Sequence, residues 1–315
     1  MYNCISVVIP TMNRPNALDE TLKSFLDGER IPNEIIVVDQ TNDVDLREKV
    51  KFVISKYSSE LNILYIFQEV PSLTLARNTG CLYCSNEIII FSDDDITVQK
   101  NTLTNIYQIM SDSTISMIAG LDLNMRKDRN SFLGYILRRK SWFKRKQGHV
   151  TKAVYGRFPK LDVCCRVKTE WAMGYFFVVR KSLLNKWDIK WDENLISYAY
   201  AEDLLFSYDY YLKSKADNFD CVIDDRVSVW HRFSQEYRVL SRKATIMTVI
   251  NREYISYRFF GFSSRLATRW SNFGDFVFRA LKNKMPGDVL AAQILCDKKR
   301  KQIKNGIILP EWYDL

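Results

Sequence analysis

The 315-residue chain has no apolar run near the roughly 18 residues that a membrane-spanning helix needs, and its start lacks the basic residues and long apolar core of a signal peptide. A cytoplasmic protein is expected. Cysteine occurs seven times, an odd number, with Cys164 and Cys165 adjacent and the rest scattered, which argues for reduced thiols over a disulfide framework. Cys81-x-x-Cys84 has zinc or redox spacing, but it reads as helix and no second pair accompanies it. There is no internal repeat and no low-complexity tract, so solenoid and disordered classes drop out. Hydrophobic residues at 47% and charged residues at 26% are the values of a packed globular protein.

What is abundant is positive charge, and it is concentrated. Residues 126–147 hold nine Lys and Arg against one Asp, and the stretch from 241 onward holds 14 against 6, so each carries +8 in a chain whose total is +9. The remainder is net negative. Two local basic surfaces imply a local polyanionic partner, either membrane phosphates or nucleic acid.

The first hundred residues alternate strand and helix signals. Ile5–Ile9, Glu34–Asp39, Leu61–Phe67 and Glu87–Phe91 are short apolar, β-branched runs, and helical spacing over about 16–27, 44–57 and 72–85 separates them. Strands this apolar on both faces predict a parallel sheet covered by helices on each side, with the ligand at the strands' carboxyl ends. Polar residues collect at those ends: Pro10 to Arg14, Asp39, and the triplet Asp93-Asp94-Asp95. Further on, a strand at Gly174–Val179 precedes a helix introduced by Ala201-Glu202-Asp203, and the chain beyond 241 reads as mostly helical.

Three consecutive aspartates repel one another unless a cation or ligand neutralises them, and Mg²⁺ or Mn²⁺ commonly takes one or two carboxylates together with substrate phosphates. An acidic turn capping the next helix is the other reading of the triplet. The segments Val7-Val-Ile-Pro-Thr-Met-Asn-Arg14, Ile36-Val-Val-Asp-Gln40, Leu75-Ala-Arg-Asn-Thr-Gly80, Ile89-Ile-Phe-Ser-Asp-Asp-Asp95 and Ala201-Glu-Asp203 favour the cation. Taken in order, they resemble a family 2 glycosyltransferase of the bacterial polysaccharide type. The resemblance is strong to about residue 100 and fair to about 233.

That resemblance implies an α/β GT-A fold, Rossmann-like and mostly parallel, in residues 1–240, with a nucleotide-binding half at 1–100, an acceptor half at 101–240, and a helical basic extension at 241–315. It implies an inverting transfer from a nucleotide sugar, UDP or dTDP type favoured, to a saccharide or lipid-linked saccharide. Pro10, Thr11 and Arg14 would line the nucleotide pocket. Asp39, as an acceptor-only carboxylate, would take the ring N–H of uracil or thymine. Arg77 would approach the pyrophosphate or base. Asp93 and Asp94 would contact ribose or phosphate, and Asp95 would bind the metal with His231 beside it. Packing against Trp230 is the rival role for His231, and Arg232 or Arg238 are further phosphate candidates. Asp203 would be the general base, Glu202 would orient the acceptor, and Trp171 to Tyr175, Trp171 and Gly174 among them, would shape the acceptor side.

Two other readings compete. Asp93-x-Asp95-x-Thr97 also fits a haloacid-dehalogenase-like phosphatase with Asp224 and Asp225 as magnesium ligands, but that leaves Pro10–Arg14, Asp39 and Arg77 without a role. A basic nucleic-acid-binding protein would need a recognisable module, and none is present. Finally, Leu266, Trp270, Phe273, Val277 and Leu281 form one helical stripe, with Arg265, Arg269 and Arg279 on an adjoining face. This pattern predicts a peripheral contact with the inner face of a membrane, extended by Phe259, Phe260, Phe262 and by Phe132 to Arg139 with Trp142 and Phe143.

Overall fold

The structure, a computed structural model, describes residues 4–125, 136, 148–157, 166–234, 236, 240–282 and 284–315. The basic segment 126–147 apart from Ile136, and Cys164, Cys165 and Arg238, lie outside the described residues. The strands are β1 Ile5–Thr11, β2 Glu34–Asp39, β3 Ile63–Phe67, β4 Ile88–Ser92, β5 Ile96–Val98, β6 Ile115–Asp122, β7 His149–Val150, β8 Gly156–Arg157, β9 Arg166–Lys168, β10 Phe176–Arg180 and β11 Asp220–His231. Nine of them form one sheet in the order β3-β2-β1-β4-β10-β6-β11-β5, with β9 also on β11. The first four strands are parallel to their neighbours. β10 then runs antiparallel between β4 and β6, and β11 runs parallel to β6.

The near-continuous apolar strands have the physical cause expected of them. Along β1, Val7 and Ile9 enter one core while Val8 enters the other; along β4, Ile88 and Ile90 separate in the same way from Ile89 and Phe91. Each face of the sheet is covered by helices, Pro15–Leu26 and Val44–Tyr57 on one side and Leu73–Tyr83 and Glu202–Ala216 on the other. Local signals set the helix starts: Pro15 occupies a first-turn position, and the Asp43 and Ser72 side chains accept from the backbone N–H groups of Leu46 and Leu75. Gly80 lets its helix close on β1, since a Cβ there would lie 2.3 Å from Val8 Cγ1.

The extension after 240 is helical as expected, with helices Ser241–Ile255, Gly261–Leu281, Gly287–Lys298 and Arg300–Lys304. Its first helix does not stand apart. Ile246, Met247 and Ile250 share a core with Trp171, Leu204 and Leu205. Phe259 and Phe260 are a correction to the expected membrane surface, because their rings pack on Tyr208 at 5.3 and 5.1 Å between centroids. The three arginines of the stripe helix are another: Arg265 and Arg269 turn to the buried Glu253, and Arg279 to Asp275, so they do not form an outward basic face.

Candidate active site

The carboxyl ends of β1, β2 and β4 converge on a cavity of about 650 Å³. Pro10, Thr11, Arg14, Arg77, Asp93, Asp94, Trp171, Gly174, Glu202, Asp203 and His231 all line it. Residues from six sequence-distant segments thus meet in one space, as the strand-end argument requires.

The aspartate triplet forms the turn between β4 and β5, and its members diverge in role. Asp94 points back into the protein: it accepts from Thr11 Oγ1 at 2.7 Å and Arg14 Nη1 at 3.1 Å. Burial pushes its pKa up to about 7 despite that arginine. Asp94 therefore braces the Pro10–Arg14 loop. Asp93, Asp95 and His231 instead bring one ligand atom each within 4.8 Å of one another. His231 Nε2 lies 3.2 Å from Asp95 Oδ1, yet that buried oxygen accepts no well-directed hydrogen bond, while Oδ2 accepts from the Ser234 N–H at 3.0 Å. An imidazole, two carboxylates and an orphaned buried oxygen fit a hard divalent cation such as Mg²⁺ or Mn²⁺. Burial opposes the charge on each of these groups, but His231, Ser234 and Arg14 hold the Asp95 pKa below its usual value, and Asp95 and Asp93 raise that of His231. The His231 ring stacks on Phe233 at 4.0 Å, and Trp230 is not its partner.

Arg77 is fully buried, and its place was not legible in its motif. Nη1 donates to Glu202 Oε1 at 2.8 Å; Nη2 donates to Asp93 Oδ1 and to the Gly174 carbonyl, each at 3.0 Å. Its guanidinium lies 4.3 Å from the centre of the Trp191 ring. The side chain thus ties the strand-end aspartate to the acidic pair rather than reaching freely into the cavity. Arg232 is similarly committed, to Thr97, Thr21, the Ala17 carbonyl and Glu20, which removes it from the phosphate candidates.

Asp203 accepts from the Gly174 N–H at 2.9 Å and from its neighbour's, Leu204, at 2.7 Å. These bonds favour the carboxylate, while burial acts more strongly and raises its pKa. Glu202 is pushed up to about 8, by burial first and by Asp203 second. The two adjacent acids titrate as a coupled pair. A side chain at Gly174 would be tight, since a Cβ would sit 3.1 Å from both Arg77 Nη2 and Asp203 Cβ and those neighbours would have to give by a few tenths of an ångström. Asp39 is buried at the end of β2 and accepts from the Thr41 N–H at 2.9 Å and Tyr65 OH at 3.0 Å.

Two contributors escaped the sequence reading. Tyr198 and Tyr200 line the cavity from a loop in which Ser197, Ala199 and Ala201 take φ of 63°, 52° and 72°. Three non-glycine residues in the left-handed region give no local sequence signal. Thr248 and Arg252 reach the same cavity from the extension, and only tertiary packing brings them there. Conversely, Asp224 is bound by Arg226 and Arg166 and does not line the cavity, so the phosphatase reading loses its magnesium ligands.

Residues 6–186 match the model of the family described as "Glycosyl transferase family 2". Among curated proteins, the chain is 28% identical over 135 residues to glycosyltransferase GlyA of Streptococcus pneumoniae serotype 4; the match covers 42% of this chain and 19% of that protein, so the chain spans only about a fifth of that relative's length. Among solved structures, residues 1–349 of S. aureus TarS in complex with UDP-GlcNAc superpose with a TM-score of 0.57 at 15% identity, covering 98% of this chain and 85% of that one. The mannosyltransferase PcManGT of Pyrobaculum calidifontis, in complex with GDP-Man and Mn²⁺, gives a TM-score of 0.56 at 13% identity, with 98% and 84% covered. With the sheet order above, these likenesses show the GT-A fold with an added C-terminal helical region.

Proposed function

Because this chain belongs to glycosyl transferase family 2, we propose that it moves a sugar from a UDP- or dTDP-type nucleotide sugar to a hydroxyl of a saccharide or lipid-linked saccharide, with inversion. The observation carrying this reading is that one cavity is lined by Asp93 and His231, whose ligand atoms lie within 4.8 Å of that of the buried Asp95, and also by Asp203, with Arg77 spanning between Asp93 and Glu202. Pro10, Thr11, Arg14 and Asp39 bind the nucleotide, with Asp94 bracing the first loop. Asp93, Asp95 and His231 would hold Mg²⁺ or Mn²⁺, which when bound supplies positive charge to the departing diphosphate.

Asp203 accepts the proton of the acceptor hydroxyl as that oxygen attacks the anomeric carbon on the face opposite the diphosphate. The new glycosidic bond forms as the bond to phosphate oxygen breaks, so the anomeric configuration inverts. Two backbone N–H groups fix the Asp203 carboxylate, and the pKa raised by burial brings its basicity nearer to neutral. Glu202 and the Trp171–Gly174 strip orient the acceptor. Both curated and structural neighbours are transferases, and two of the solved ones hold UDP-GlcNAc and GDP-Man. We place the work in cell-surface polysaccharide or glycoconjugate synthesis, with the protein peripheral on the inner face of a membrane; no described helix is long and apolar enough to cross one.

A thermal-shift plate of nucleotide sugars with and without Mn²⁺ tests the donor side, and NMR of the product anomer tests the stereochemistry. Stabilisation by uridine or thymidine diphosphate sugars that needs the cation is the expected result. Stabilisation by phosphomonoesters alone would refute the reading.

A further inference from the structure

The helix Gly261–Leu281 is turned inside out. Phe262, Leu266, Trp270, Phe273, Val277 and Leu281 recur every three or four residues, which at 100° per residue keeps them within about a 100° arc. Each is between 38% and 81% exposed. The opposite face, Ser264, Arg265, Thr268, Ser271 and Asn272, is buried. An amphipathic helix packed for stability alone would do the reverse.

Polar bonds lock this orientation. Arg265 Nε lies 3.0 Å from the fully buried Glu253, Ser264 Oγ donates to the Lys152 carbonyl at 2.5 Å, and Asn272 joins Arg252 and Gln293 at 3.0 and 2.9 Å. Rotating the stripe inward would carry Ser264, Arg265 and Asn272 away and leave the buried Glu253, Arg252 and the Lys152 carbonyl facing apolar side chains, which makes the outward face a fixed property of the fold. A contiguous row of Trp, Phe, Leu and Val on a surface needs a partner.

We infer that this partner is the surface of an anionic lipid bilayer. The inference rests on the peripheral placement proposed above and assigns it a surface. The composition suits the headgroup boundary, where aromatic rings sit with their polar edges toward water. The Trp270 indole N–H donates to the Ile136 carbonyl at 2.9 Å, which fixes that ring at the surface. Exposed Lys282 and Lys284 close the other end, Lys282 Nζ lying 4.4 Å from the centre of the Phe278 ring. Charge selects the occupant: a second copy would set a chain of net charge +9, with exposed Lys282 and Lys284 at the end of the stripe, against itself, whereas acidic lipids attract it.

The test is co-sedimentation of the full chain with phosphatidylcholine vesicles and with vesicles in which roughly a third of the lipid is phosphatidylglycerol, at low and high salt. Binding to the anionic vesicles only, weakened by salt, is expected. A Trp270→Glu/Phe273→Glu variant should bind roughly tenfold less or weaker while melting like the parent, because both positions are already exposed. If that variant does not fold, Lys282→Glu/Lys284→Glu provides the same comparison from the charged end. Wild-type binding that both variants retain in full would leave the peripheral placement standing and overturn this surface. No wild-type binding to either vesicle would overturn both. A dimer that the Trp270→Glu/Phe273→Glu variant abolishes, without vesicle binding, would give the stripe to a second copy and overturn the inference.

Discussion

Replacing Arg77 with Met is the sharpest perturbation of the site's internal order. The guanidinium is fully buried, donates to Glu202, Asp93 and the Gly174 carbonyl, and is stacked near Trp191. Methionine keeps much of the volume and removes the charge, leaving two carboxylates without their main cation. Breaking a buried pair from one side costs about 3–5 kcal/mol, which for a chain of this size corresponds to a fall in Tm of roughly 5–8 °C. The loss also depends on pH. Glu202 has its folded pKa raised from 4.5 to about 8, so the stability it contributes is fully present below pH 4.5 and lost as pH rises toward 8. Without Arg77, whose charge lowers that pKa, the folded value rises further. The variant should therefore lose more stability at pH 9 than at pH 6. Thermal unfolding at the two pH values decides it, with Arg77→Lys falling between variant and parent. Melting within a degree of the parent at pH 9 would refute the argument that this ion cluster is held by Arg77.

Three further outcomes are expected. Asp203→Asn should lower turnover by roughly 10²–10⁴ with donor affinity retained, because Asn keeps the size but takes no proton; near-normal turnover at saturating acceptor would require another base. Asp95→Ala, or excess EDTA, should weaken nucleotide-sugar binding measured by calorimetry, and full binding in EDTA would remove the cation from the account. Gly156→Ala should raise the acceptor KM with little effect on donor affinity: a Cβ there would lie 2.1 Å from the Trp171 ring and would displace that ring, which lines the cavity. Unchanged acceptor kinetics in that variant would detach Trp171 from the acceptor side.

The strands, their burial on both faces and the convergence of Pro10–Arg14 and Asp93–Asp95 were legible because they follow from local apolar patterning and from where polar residues interrupt it. Asp39 was placed correctly at the end of β2, although Thr41 and Tyr65 as its companions were not foreseen. Arg77 was misjudged in orientation: its principal partner is 125 positions away, and a motif does not state which side its arginine faces. The stripe at 266–281 was legible as a stripe, yet periodicity does not say which face turns inward. That was decided by Glu253, whose burial draws Arg265 and Arg269 under the helix. The same limit hid Tyr198 and Tyr200, whose left-handed loop carries no glycine to announce it.

The misjudged arginine explains how the acidic cavity holds together. Asp93, Asp94, Glu202 and Asp203 line one cavity, with Asp95 buried beside it, and Arg14, Arg77 and His231 only partly neutralise them. The protein shares out its fixed cations: Arg14 to Asp94 and, at 3.9 Å, to Asp95, and Arg77 to Asp93 and Glu202. Asp95 retains an orphaned oxygen beside His231. Asp94 near 7 and Glu202 near 8 record the unrelieved repulsion and burial. On the proposed function, carboxylates held in place by buried arginines would meet a divalent cation and a diphosphate at fixed positions, exchanging repulsion for attraction. Charge preorganised in this way stabilises a developing anion at little reorganisation cost, and on that reading the buried Arg77 would serve the transfer by holding acids that it never needs to release.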